Sequence, residues 1–170
     1  SLTSQSRTNK VCGIVTNGAG TESSLICSIS YAIDKTVPSV SISAIGEVDG
    51  YVGKSSTLKA NVTPSSTVSG YSYVWYKNGQ VINGSNSDTL VLNYGDNISR
   101  TDNYSVTVTT GAGDKGSASK SLKIDTVKPS CSLTANGTSG SDGWFISSSV
   151  SIVGSFRDNE SGVGSRGVGK

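Results

Sequence analysis

Apolar and polar residues alternate with a period of two along most of the chain, and the runs are short. SVSISA over 39–44 opens the clearest series. In SSTLKANV, 55–62, Leu58, Ala60 and Val62 fall on one face. YSYVWYKNG, 71–79, alternates around Trp75 and ends in Asn-Gly, the strongest short hairpin signal. TLVLN, 89–93, turns Leu90 and Leu92 to one side, and DNYSVTVTT, 102–110, does the same with Tyr104, Val106 and Val108. GSASKSLKI closes the series at Ile124. A side-chain period of two is that of a half-buried strand, so the pattern predicts about seven short strands and no helix.

The chain also repeats itself. SRTNKVCGIVTNGAG, starting at Ser6, matches SRTDNYSVTVTTGAG, starting at Ser99, without gaps as far as Gly20 and Gly113. After a slip of two residues, IDKTVPSVSIS from Ile33 matches IDTVKPSCSLT from Ile124, pairing Asp34 with Asp125, Pro38 with Pro129 and Ser39 with Ser130. Each unit therefore ends at Ile-Asp, crosses a Pro-containing linker and starts again on an alternating strand. Proline cannot donate to a ladder and holds the preceding residue extended, which suits a stiff junction. The repeat divides the chain into the C-terminal half of one unit (1–34), a whole unit (35–125) and the N-terminal half of another (126–170).

Val74-Trp75-Tyr76-Lys77-Asn78-Gly79, then Leu90-x-Leu92, then Asp102-x-Tyr104-x-Val106, resembles the immunoglobulin-like domains found in tandem in bacterial surface, adhesin and fibre proteins. The resemblance implies an all-β, Ig-like β-sandwich, one complete domain flanked by two complementary half-domains. It makes Trp75 the core tryptophan of the third strand and Tyr104 the tyrosine-corner residue, with Val106, Leu90 and Leu92 beside them in the core. The family's inter-sheet cysteine pair is missing, since Val106 stands where the second cysteine would be. SCSLTA (130–135), GWFI (143–146) and SSVSIVGSF (148–156) resemble the family's opening strands, and DNESGV (158–163) its acidic Ser-Gly turn. Residues 10–16 and 24–31 resemble a closing hairpin. One half supplies what the other lacks, and a partial sandwich exposes an apolar face and unpaired edges. The expectation is that a 1–34 segment of a neighbouring subunit or repeat completes 126–170.

Composition narrows the function. The chain of 170 residues has 34% hydrophobic residues, 15% charged residues and a net charge of +2 with no basic run, so nothing resembles a phosphate-binding face. No apolar stretch approaches the roughly 20 residues of a membrane helix, so neither nucleic acid nor membrane insertion is expected. Histidine is absent, which removes the commonest general base and metal ligand. No enzyme activity, catalytic residue or cofactor is expected.

There are three cysteines. The preferred pairing joins Cys27 to Cys131 across the completed domain; the alternative is Cys12 with Cys27 across a hairpin turning near Ala19-Gly20. Asp158, Asn159 and Glu160, with Asp125, are a candidate set of hard oxygen ligands for Ca²⁺, set against a simpler reading as a solvated turn capped by its own side chains. Tyr71, Tyr73 and Tyr76 are the aromatic residues that alternation could send outward to stack on a sugar. The expected function is a structural subunit or repeat period of an extracellular bacterial surface fibre, assembled head to tail on copies of itself. The alternatives are an adhesin or glycan-binding module presenting the loop Gln80–Asp88 to a host glycan or receptor, and a passive spacer in a larger surface or phage-tail protein.

Overall fold

The computed structural model describes residues 6–163; the outermost residues of both expected half-domains lie outside the described residues. Among the described residues every regular element is a strand: β1 Ser6–Asn9, β2 Cys12–Gly13, β3 Ile26–Cys27, β4 Tyr31–Ile33, β5 Ser39–Val48, β6 Tyr51–Thr63, β7 Tyr71–Lys77, β8 Gln80–Val81, β9 Thr89–Asn93, β10 Ser99–Thr110, β11 Lys115–Asp125, β12 Ser130–Asn136 and β13 Ser151–Arg157. No helix among them is long and apolar enough to cross a membrane, which says nothing of a β-barrel.

The largest sheet has seven strands in the order β5-β6-β11-β10-β7-β8, with β9 also pairing with β6. β6 thus has three partners along its 13 residues. Its start pairs in parallel with β11, Lys123 opposite Tyr51 and Ile124 opposite Val52. Farther along, Ala60 N donates to Asp88 O at 2.7 Å, beside β9. A strand has only two edges, so a change of partner along its length is how strands are shared between the layers of a sandwich. The all-β architecture and strand pairing are those of a β-sandwich.

The chain forms two compact units: Ser1–Ile45, Thr57–Val91 and Asn103–Ser121 make the first, and Gly46–Ser56, Leu92–Asp102 and Leu122–Lys170 the second. In the first, Trp75, Leu58, Val106 and Val108 are fully buried, and Ala60, Leu90 and Tyr104 are buried as well. The antiparallel register of β10 on β7 sets Val106 opposite Trp75, which is why alternation from Tyr104 to Val108 feeds a single core. Burying an indole leaves its N–H to be satisfied, and Trp75 Nε1 donates to Ser87 O at 2.9 Å. The Asn-Gly hairpin expected after β7 is present, with φ of 48° at Asn78 and 82° at Gly79. In the second unit Val52, Leu92, Leu122 and Ile124 are buried.

Gly116 shows how tightly β11 is laid down. A Cβ there would lie 2.1 Å from Pro38 O and 3.0 Å from Val40 Cγ2, so only glycine lets the strand run over the linker.

Candidate assembly surface

Two hairpins of this chain are built alike and differ in what covers them. In the first, β5 and β6 are joined by Asp49-Gly50, with φ of 50° and 83°. In the second, the chain after β12 turns at Asp142-Gly143, with φ of 57° and 81°. Both place two left-handed residues in succession, a conformation that favours Asp-Gly. The turn at 142–143 is closed by Trp144 N donating to Ser141 O at 3.1 Å, Gly140 N donates to Trp144 O at 2.8 Å, and Ser139 bridges to Phe145. Tyr51 and Val52, which follow the first turn, thus have Trp144 and Phe145 as their counterparts.

The register of β12 on β13 sets Cys131 opposite Phe156, Leu133 opposite Gly154 and Ala135 opposite Ile152. Directly opposed residues share a face, so Cys131, Leu133, Ala135, Ile152 and Phe156 form one apolar face, while Ser132, Thr134, Val153 and Ser155 lie on the other. Gly154 keeps the apolar face flat: a Cβ there would meet the Phe156 ring at 2.8 Å and Leu133 Cδ2 at 3.3 Å. All of both strands is exposed, Leu133 at 71%, Ile152 at 63% and Phe156 at 45%. The corresponding face of β5 and β6 is covered, with Val40, Ile42 and Ala44 half-buried and Leu58 and Ala60 buried. The same contrast holds after the turns: Val52 is 1% exposed, Phe145 38% and Trp144 74%.

The N-terminal strands also stand outside the seven-stranded sheet. β1 pairs with β4 in a two-stranded sheet, as their repeat counterparts β10 and β11 pair within the seven-stranded one. β11 has β6 on its other edge; among the described residues β4 has no such neighbour. Val15, Leu25, Ile26 and Ile29 are exposed in this segment.

The two matching Ile-Asp segments carry the same clamp. Asp34 Oδ1 accepts from Thr36 N at 3.0 Å, and Asp125 Oδ1 accepts from Val127 N at 3.0 Å, two residues on in each case. The second oxygen reaches a Ser-Gly turn far downstream. Asp34 Oδ2 accepts from Ser69 N at 3.2 Å and from the hydroxyls of Ser69 and Thr67. Asp125 Oδ2 accepts from Ser161 N at 3.0 Å. The glycines after these serines, Gly70 and Gly162, have φ of 77° and 79°. Hydrogen bonds to the ionised form favour it: the Ser69, Thr67 and Thr36 hydroxyls hold the Asp34 carboxyl far below the usual carboxylate range, and Ser161 lowers that of Asp125.

The core residues expected from the sequence, Trp75, Tyr104, Val106, Leu90 and Leu92, are all buried. The preferred cysteine pairing needs correction. Cys12 and Cys27 face each other across β2 and β3, with Cα atoms 4.0 Å apart, and form a disulfide; Cys131 is a free, exposed thiol. The pairing is local because β2 and β3 align these two positions directly, so Cys27 is not available to Cys131.

The structure brings carboxylate oxygens of Asp125, Asp158 and Glu160 within 4.8 Å of one another. Asp158 Oδ1 already accepts from the amides of Glu160, Ser161 and Gly162 at 3.0, 3.0 and 3.1 Å, as in an Asx-capped turn. Asn159 is exposed and takes Arg157 Nε at 2.8 Å. Tyr71, Tyr73 and Tyr76 are half-buried, and Tyr71 Oη donates to Pro64 O at 2.9 Å. Sequence reasoning missed the Asp142-Gly143 turn, whose signal was the dipeptide shared with Asp49-Gly50. It also missed Thr67 and Ser69 as partners of Asp34, which no local signal marks.

No protein-family model matches this chain, and no curated protein matches it. Among solved structures it is similar to the crystal structure of the PKD1 domain of Vibrio anguillarum Epp, with 18% sequence identity over 53% of this chain and 95% of that one and a TM-score of 0.39.

Proposed function

We propose that this chain is a structural, non-enzymatic repeat unit of an extracellular surface fibre, organised as one Ig-like sandwich over 35–125 flanked by half-domains over 1–34 and 126–170. Copies join head to tail, the strands of 1–34 from one completing the β12–β13 hairpin of the next. One observation carries the reading: the apolar face of β12–β13 is open, while the same face of its repeat counterpart, β5–β6, is covered. An open sheet of this kind is a template for strand addition. The contact is heterologous, pairing one end with the other, so it leaves a free end on each added copy and extends into a filament wherever the rotation between copies does not close a ring. The disulfide supports an oxidising, extracellular setting.

Sedimentation of the purified chain over a concentration series, followed by negative-stain electron microscopy, tests this. End-to-end oligomers growing into unbranched filaments are expected. A monomer at every concentration overturns assembly between separate chains.

A further inference from the structure

We propose that the contact between copies has a defined register, with β4 of one copy lying parallel to the segment after the Asp142-Gly143 turn of the next. Ile33 then sits opposite Phe145, and Ala32 opposite Trp144. This rests on the head-to-tail reading above and specifies its partner surface residue by residue.

Three observations fix the register. In the seven-stranded sheet, β11 pairs in parallel with the start of β6 through Lys123 with Tyr51 and Ile124 with Val52. Ile33-Asp34 is the repeat counterpart of Ile124-Asp125, so Ala32 stands for Lys123. The paired left-handed residues at Asp49-Gly50 and Asp142-Gly143 align Tyr51 and Val52 with Trp144 and Phe145 without a gap. The two edges are also open where this pairing needs them. β4 has β1 on one side, as β11 has β10, and the segment at Phe145 has only Ser139 as its bridge partner among the described residues.

Burial agrees. Val52 and Ile124 are each 1% exposed in the completed pair, whereas Phe145 is 38% exposed and Ile33 half-buried. The unfinished counterparts are the positions the pairing would cover. The arriving hairpin also covers the face that carries Cys131, so this thiol becomes protected on assembly without forming a bond.

The test uses two proteins, both carrying Cys131→Ser and keeping the native disulfide, one with Ile33→Cys and the other with Phe145→Cys. They are mixed at assembling concentration, oxidised mildly and run on a non-reducing gel. A disulfide needs Cα atoms within about 7 Å. The in-register pair is therefore expected to give a heterodimer, and a Ser30→Cys control, about 10 Å out of register at ~3.3 Å per residue, is expected to give little. Ala32→Cys with Trp144→Cys, both exposed positions, repeats the test where Phe145→Cys disturbs the hairpin. Equal yields from control and in-register pairs, or no heterodimer from either in-register pair, overturn the register. Sedimentation of the same mixtures separates the two levels: assembly without in-register cross-linking sinks the register alone, and no assembly sinks the head-to-tail reading as well.

Discussion

Truncating a leucine on each hairpin should have opposite effects in the monomer and in the assembly. Leu58 is fully buried and Leu133 is 71% exposed. Leu58→Ala removes a core side chain and leaves a cavity, which costs about 2–5 kcal/mol. For a domain of this size that lowers the melting temperature by roughly 10 °C or more. Leu133→Ala removes atoms already in water, so its effect on the monomer should stay within about 0.5 kcal/mol. On assembly the balance changes. Burying a whole leucine is worth about 1.5–3 kcal/mol, so covering the exposed part of Leu133 contributes about 1–2 kcal/mol per contact, or roughly 5- to 30-fold in association constant. The assay is thermal unfolding by circular dichroism at a concentration where sedimentation shows monomer, then sedimentation of both variants across a concentration series. If Leu133→Ala destabilises the monomer as Leu58→Ala does, the face is not open. If it leaves association unchanged, the face is not the contact, and the complementation argument fails.

Peptide mapping without reductant should recover Cys12 linked to Cys27, with Cys131 alone labelled by maleimide in the monomer; covalent Cys27–Cys131 dimers would contradict this. Replacing Cys12 and Cys27 by serine should open the 10–30 hairpin to protease and cost up to about 3 kcal/mol for a loop of this length. Gly116→Ala should destabilise by about 1–3 kcal/mol through the clash with Pro38, whereas Gly18→Ala, with nothing within 4 Å of the new Cβ, should not; equal melting temperatures would refute the close approach. Asp34 and Asp125 titrate below their unfolded value of about 4, so their stabilisation is complete above that pH and is lost as the pH falls through the depressed folded values. Stability should therefore be insensitive to these groups between pH 5 and 8 and decline in acid, and Asp34→Asn with Asp125→Asn should flatten that acid limb; an unchanged limb in pH-dependent unfolding would rule the clamps out as its source.

Alternation with a period of two is a local property, and it suffices to say which residues of a strand share a face. That is why Trp75, Tyr104, Val106, Leu90 and Leu92 could be named as core from the sequence. The Asn78-Gly79 turn was legible for the same reason, since its backbone needs residues that tolerate positive φ. Which strand lies beside which is not local. The parallel pairing of β11 with β6 joins Ile124 to Val52, and Asp34 finds Thr67 and Ser69, 33 and 35 residues away. No pattern within a strand or turn encodes those partners; they follow from how the chain closes on itself. The cysteines divide the same way. Three of them in a chain of this composition announced a disulfide, but the choice of Cys12 over Cys131 for Cys27 was made by the register of β2 on β3, because a bond so short forms only between positions the backbone already sets side by side.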